Sequence, residues 1–141
     1  MEEMVLDADV IDGSDIIAGG KGSDTLVVNV LTIAGNIAIT NAVSSVEYYI
    51  FNISDTLALT FTLADSGVVT SALQANTGVV DATGMTGSGA LTFSADAEDD
   101  SDMHITGGRA GDTLTGGNAT ASAATGAALF DTIYGGDGGD T

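Results

Sequence analysis

The sequence predicts an all-β chain built from many short strands. Three observations carry this. The chain has 141 residues with 20 Gly and no Pro, and it is rich in Thr, Val and Ala, a composition of pleated segments and tight turns. Residues 56–63, TLALTFTL, alternate strictly: Leu57, Leu59, Phe61 and Leu63 face one way, Thr56, Ala58, Thr60 and Thr62 the other. Short turn signals (34–36, 52–55, 65–67, 86–89) separate further candidate strands at 26–31, 37–40, 46–53, 79–82 and 90–95. Segment 71–75 is expected to form one helical turn. Many short strands joined by Gly turns fit a sandwich, a barrel or a solenoid.

Composition bounds the function. Two residues are basic, Lys21 and Arg109, and 20 are acidic, for a formal net charge of −18. Nothing could neutralise a row of phosphates, which excludes nucleic acid, and an anionic membrane surface is excluded for the same reason. Without Cys there are no disulfides, thiolate metal sites or Cys nucleophiles. An apolar fraction of 44% argues against the disorder common in acidic chains. At this charge, self-repulsion is strong, and a bound cation is its simplest relief. The acidic start MEEMVLDADV is not a signal peptide, and no apolar run is long enough to span a membrane.

Three zones differ in composition and set the expected organisation. Residues 1–28 are Gly/Asp-rich, 29–97 are Thr/Ala-rich with few charges, and 98–141 are Gly/Asp-rich again. The outer zones repeat each other. DIIAGGKGSDT (15–25) and DTIYGGDGGDT (131–141) share seven identities in eleven positions at an offset of 116. The sequence thus reads as one long repeat unit plus its overlap with the next. It stops mid-motif, so a piece of a longer protein, or a neighbouring chain completing the turn, is expected.

The chemistry-bearing motif is GGKGSDTLV (19–27), which fits the nonapeptide GGxGxDxUx, with U a large aliphatic residue. GGRAGDTLT (107–115) keeps Gly107, Gly108, Asp112 and Leu114, and GGDGGDT (135–141) keeps everything its length allows. VIDGSDIIA keeps Gly13, Asp15 and Ile17, and GGN (116–118) opens a further copy that resumes at Asp131. Gly at positions 1, 2 and 4 lets a six-residue turn enter backbone regions closed to other residues, aiming several carbonyls at one point. The Asp at position 6 adds a carboxylate. Such a hard oxygen cage suits Ca²⁺, which takes six to eight oxygens at about 2.3–2.6 Å.

These motifs resemble the RTX (repeat-in-toxin) calcium-binding β-roll. The outer cassette, the Thr/Ala-rich middle and the stretch GALTF…HITGGRAGDTLTGG resemble bacterial surface-layer and large adhesin proteins of that kind. The resemblance implies a parallel β-roll or β-solenoid with RTX calcium-binding turns. It also implies that position 8 (Ile17, Leu26, Leu114, Ile133) points into the roll. The implied Ca²⁺ ligands are Asp9, Asp12, Gly13, Asp15, Gly19, Gly20, Gly22 and Asp24 at one end. At the other they are Asp102, Gly107, Gly108, Asp112, Asp131, Gly135, Gly136, Asp137, Gly138 and Asp140. Asp9 to Asp15 is a spacing of six rather than nine, which implies a shortened turn and a few ions at each end rather than two long rows. The implied role is a secreted structural repeat at a bacterial cell surface, exported by type I secretion. It would associate end to end in a surface layer, matrix fibre or adhesin stalk, without catalysis. The alternatives are the secretion and folding module of an RTX exoenzyme and a ligand-binding adhesin domain.

The remaining polar and aromatic residues read more plainly. His104, beside Asp102, is expected on a solvent-facing strand position. With one His and no G-x-S-x-G turn, a hydrolase triad is a poor fit. Glu47 is expected at an edge or turn. Tyr48, Tyr49, Phe51, Phe61 and Phe93 are expected in the core, and Lys21 and Arg109 at exposed turn tips. Asn52 and Asn118 open acceptor sequons. Thr60 and Thr62 form a Thr-x-Thr pair of the kind found on ice-binding faces; one pair is too little to carry that reading.

Overall fold

Alternating apolar residues, with no helical period anywhere along them, produce strands that stack on one another in parallel. The computed structural model describes residues 3–7, 16–30, 37–40, 43–54, 56–63, 77–99, 101–118 and 130–141. In chain order the strands are β1 (Glu3–Asp7), β2 (Ile17–Ala18), β3 (Thr25–Val30), β4 (Ile37–Thr40), β5 (Val43–Ser44), β6 (Tyr48–Ile53), β7 (Leu59–Thr62), β8 (Thr77–Asp81), β9 (Leu91–Ser94), β10 (Asp102–Thr106), β11 (Thr113–Thr115) and β12 (Thr132–Tyr134). The fold is all-β, a parallel β-solenoid. A six-stranded sheet runs β1-β3-β6-β8-β10-β12, a four-stranded sheet β11-β9-β7-β4, and β2 pairs with β5. The proposed helical turn at 71–75 lies outside the described residues, as do Asp9, Asp12, Gly13 and Asp15.

Register defines the coil. On the six-stranded sheet the same position passes from Glu3 to Thr25, Tyr48, Val79, His104 and Thr132. Each step advances the chain by one coil, 23 residues between Thr25 and Tyr48 and 28 between His104 and Thr132. Strands from all three compositional zones lie in this one sheet. The two segments that match at an offset of 116 occupy different places. Thr25 opens β3 of the six-stranded sheet, whereas Thr141 lies beside Thr113, at the start of β11 in the four-stranded sheet. The recurring sequence unit is therefore a turn plus the strand it feeds, used on both flanks of the solenoid.

The core lies between the two main sheets. Leu26, Tyr49, Val80 and Ile105 form an inward column on one sheet and Ile39, Phe61, Phe93 and Leu114 on the other, all buried. Phe61 is the hub: its ring centroid lies 5.3 Å from Tyr49, 5.5 Å from Phe51 and 5.8 Å from Phe93. Such geometries are favourable beyond the area they bury. Tyr48 departs from the expected core set. It is 42% exposed, because its neighbour Tyr49 takes the inward side and a strand alternates. Of the position-8 residues, Ile17, Leu26 and Leu114 are buried, and Ile133 is 43% exposed on the edge strand β12.

Candidate functional site

The Gly/Asp turns stack on the two flanks of the solenoid. On the flank that leaves the six-stranded sheet, turn 82–90 joins β8 to β9, turn 107–112 joins β10 to β11, and turn 135–140 follows β12. Arg109 N–H donates to Met85 O at 3.1 Å, and Asp137 N–H donates to Gly108 O at 3.1 Å, so each turn rests on the one before it. On the opposite flank, turn 19–24 leads from β2 into β3 and lies on 44–47, with Gly19 N–H donating to Ser44 O at 3.0 Å.

The turns GGKGSD and GGDGGD share a backbone. Gly20 and Gly22 have φ of 95° and 130°, and Gly136 and Gly138 have φ of 93° and 114°. Positions 2 and 4 are thus left-handed in both, while position 1, Gly19 and Gly135, expected with them, has no positive φ. GGRAGD departs from this: neither Gly108 nor Ala110 has a positive φ. Its carbonyls instead lie against the next turn, since an added Cβ at Gly136 would meet the carbonyl oxygens of Gly108 and Gly107, and one at Gly138 that of Ala110.

Three motif carboxylates obey one geometric rule. Asp112, Asp131 and Asp140 each accept the backbone N–H of their own register partner on the preceding coil. Asp112 Oδ1 takes Leu91 N–H at 2.8 Å, Asp140 Oδ1 takes Asp112 N–H at 2.9 Å, and Asp131 Oδ1 takes Met103 N–H at 2.8 Å. Glu47 Oε2 takes Asp24 N–H at 2.7 Å in the same relationship. Asp112, Asp131 and Glu47 stand just before β11, β12 and β6, and there the side chain supplies an acceptor to the preceding coil. The second oxygen of Asp112 closes its own turn, with Gly108 N–H donating at 2.6 Å. Asp112 and Asp24 are 1% and 3% exposed. Position 1 must be glycine for this folding-back: a Cβ at Gly107 would sit 2.6 Å from Asp112 Oδ2, and Gly19, Gly116 and Gly135 stand in the same relation to Asp24, Asp131 and Asp140.

The structure thus brings together Gly107, Gly108, Asp112, Gly135, Gly136, Asp137, Gly138 and Asp140 in two stacked turns. It places Gly19, Gly20, Gly22 and Asp24 on the other flank. Asp24 and Asp131 enter the six-stranded sheet at β3 and β12, with three strands between them, about 19 Å at the usual strand spacing. Asp102 accepts Thr77 Oγ1–H at 2.8 Å and lies 3.6 Å from the half-exposed His104. Lys21 and Arg109 are exposed at their turn tips. Glu47 was legible only as a turn carboxylate; the alignment of Glu47-Tyr48 with Asp24-Thr25 is the signal of its ladder role. Asn52 Nδ2–H donates to Asn29 Oδ1 at 2.9 Å in a similar side-chain rung.

Among the described residues, no group of three or more His, Cys, Asp or Glu side chains could hold a metal ion. A cation here would be held by backbone carbonyls with one or two carboxylates. The donor set of turns 107–112 and 135–140 is of that kind, all oxygen, and suits a hard cation. An open cleft of about 340 Å³ beside these turns is lined by Thr83, Thr86, Thr106, Arg109 and Asp137 among others. No helix among the described residues is long and apolar enough to cross a membrane. No protein-family model matches the chain, and no curated protein or solved structure matches it either.

Proposed function

We propose that this chain is a calcium-stiffened structural repeat of the RTX kind, working outside the cell as part of a surface layer, matrix fibre or adhesin stalk. The observation that carries the reading is the shared backbone of GGKGSD and GGDGGD, left-handed at the second and fourth positions of both. Glycine enters these angles without steric cost, and their recurrence in both turns is what a cage of backbone carbonyls around a cation would use. Calcium at these turns would offset the repulsion among the carboxylates of a chain at −18 and couple folding to the external ion concentration. In turns 107–112 and 135–140 the carbonyls of Gly107, Gly108 and Ala110 and the carboxylates of Asp137 and Asp140 are the groups available to an ion. On the other flank the 19–22 carbonyls and the Asp24 carboxylate hold the same motif positions.

A solenoid of this kind is a rod that grows along its axis, and among the described residues β12 is an edge strand of the six-stranded sheet. On β12 the edge carries exposed Ile133 and Tyr134, with Phe130 just before it, 75% exposed. Open edges pair with other chains. The reading therefore includes end-to-end association, between chains or between units of one chain, and it rests on this edge rather than on matching ends. Export by type I secretion, with folding delayed until calcium is met, accords with such a rod.

Light scattering of the purified chain in calcium and in chelator tests the reading. Growth of linear species in calcium, reversed by chelator, is the expected result. A monomer of unchanged size in both contradicts the assembly role.

A further inference from the structure

The outward side of the four-stranded sheet is a lattice of hydroxyls. Register places Thr60, Thr92 and Thr113 in one column and Thr62, Ser94 and Thr115 in a second. Thr141 extends the first column, its Oγ1 lying 3.2 Å from that of Thr113. Ala38 precedes Thr60 in the same column. All these side chains are exposed except Ser94, which is partly so. Columns are separated by two residues along each strand, about 6.6 Å, and rungs by about 4.8 Å between strands. Threonine is stiff at χ1, so the array is rigid as well as periodic.

Two further features distinguish this face. It carries no charge, in a chain of 22 charged residues, whereas the opposite sheet presents Tyr48, Asp81, Asp102 and His104. The side-chain hydroxyls of Thr60, Thr62, Thr92 and Thr115 make no hydrogen bond among the described residues, so they are open to an external partner. A face without Arg, Lys, carboxylate or aromatic anchors has none of the groups that fasten an ion, a nucleic acid or a protein partner. Charge complementarity selects an uncharged partner. Periodicity in two dimensions selects one that is itself a lattice, and hexagonal ice presents oxygen rows with repeats close to both spacings.

We propose that the outward face of the four-stranded sheet binds ice. The columns Thr60–Thr92–Thr113 and Thr62–Ser94–Thr115 would hold water in register with the crystal's oxygen rows, while the threonine methyls exclude disordered water. The inference stands on sheet register and is independent of the calcium reading.

The test is ice-affinity partitioning of the purified, folded chain in calcium-containing buffer, against an inert globular protein of similar size. The wild type is expected in the ice fraction at several-fold the reference level, and to facet single ice crystals. Thr92→Lys should fall to the reference level with an unchanged far-UV circular dichroism spectrum. Thr62→Lys, on another coil, provides the same comparison should Thr92→Lys not fold. His104→Lys, on the opposite face, should partition like wild type. A folded wild type excluded from ice like the reference overturns the proposal. So does a folded Thr92→Lys or Thr62→Lys that still enters ice. Retention on crystalline cellulose or chitin without entry into ice also overturns it, assigning the face to a polysaccharide lattice.

Discussion

Asp112 and Leu91 are register partners on successive coils, and the Asp112 carboxylate, not a carbonyl, accepts the Leu91 N–H at 2.8 Å. The same relation joins Asp140 to Asp112, Asp131 to Met103 and Glu47 to Asp24. A carboxylate just before β6, β11 and β12, and again at Asp140, extends the parallel ladder by one rung. Before any ion is considered, this gives the motif aspartate a structural purpose.

Asp112→Ala should therefore be severe. It orphans the N–H groups of Leu91 and Gly108 in a site where Asp112 is 1% exposed. Two charge-assisted bonds and two stranded donors put the loss at roughly 3–5 kcal/mol. Asp96→Ala, at an exposed position, should cost no more than about 0.5 kcal/mol. Urea denaturation of the two variants makes the comparison, and equal midpoints would remove the ladder from the account.

The turn glycines separate strain from crowding. Gly20 has φ 95° and open space around a would-be Cβ, so Gly20→Ala should cost only the left-handed penalty, roughly 1–2 kcal/mol. Gly138 has φ 114°, and its Cβ would lie 2.5 Å from Ala110 O, so Gly138→Ala should cost distinctly more. Gly139 has neither constraint, and Gly139→Ala should be near neutral. Thermal melts of the three variants should follow that order.

Phe61 is fully buried and packs against three rings on the two strands that neighbour it in the core, Tyr49 and Phe51 on β6 and Phe93 on β9. Phe61→Ala should cost roughly 3–5 kcal/mol, the usual range for an aromatic truncated in a packed core. Thr60→Ala, one residue away on the outward side, should change stability by less than about 0.5 kcal/mol. Similar losses for both would contradict the inward and outward assignment of β7.

Much of this architecture was written in residue periodicity. The alternation of 56–63 fixed which side of β7 is buried, and 37–40 matches β4 at both ends. Gly spacing located the left-handed positions of two turns. Tyr48-Tyr49-Ile50-Phe51 offered apolar residues to both sides, so only the register of β6 between β3 and β8 shows that Tyr48 lies outside. The carboxylate ladder was hidden because its partners are 21 to 28 residues apart and coil length varies. A repeat found at an offset of 116 proved to join two flanks, since the same turn serves to enter one sheet and to leave it. The threonine lattice was reduced to a single pair for the same reason: only stacking aligns Thr60, Thr92 and Thr113.

Tyr49 gives the fold an alkaline limit. Burial, then the nearby charges of Glu98 and Glu47, push its phenol far above the ordinary value of 10.0. The folded state therefore holds the proton where the unfolded chain releases it. That contribution is whole below pH 10 and is lost as pH rises beyond it. Stability should fall as pH rises past 10.0, and Tyr49→Phe should flatten that slope. A slope unchanged in the variant would assign the loss to other groups.

We propose that the Gly/Asp turns hold calcium and that the bound ion stiffens the solenoid. Thermal unfolding of the purified chain in millimolar calcium, in equal magnesium and in chelator tests it most directly. Calcium at a hundred times its Kd contributes about 2.7 kcal/mol by linkage, a rise in Tm on the order of 10 °C for a chain of this length. That rise is expected in calcium, with little in magnesium, and it should be lost in Asp140→Ala. An identical Tm in all three solutions would contradict it.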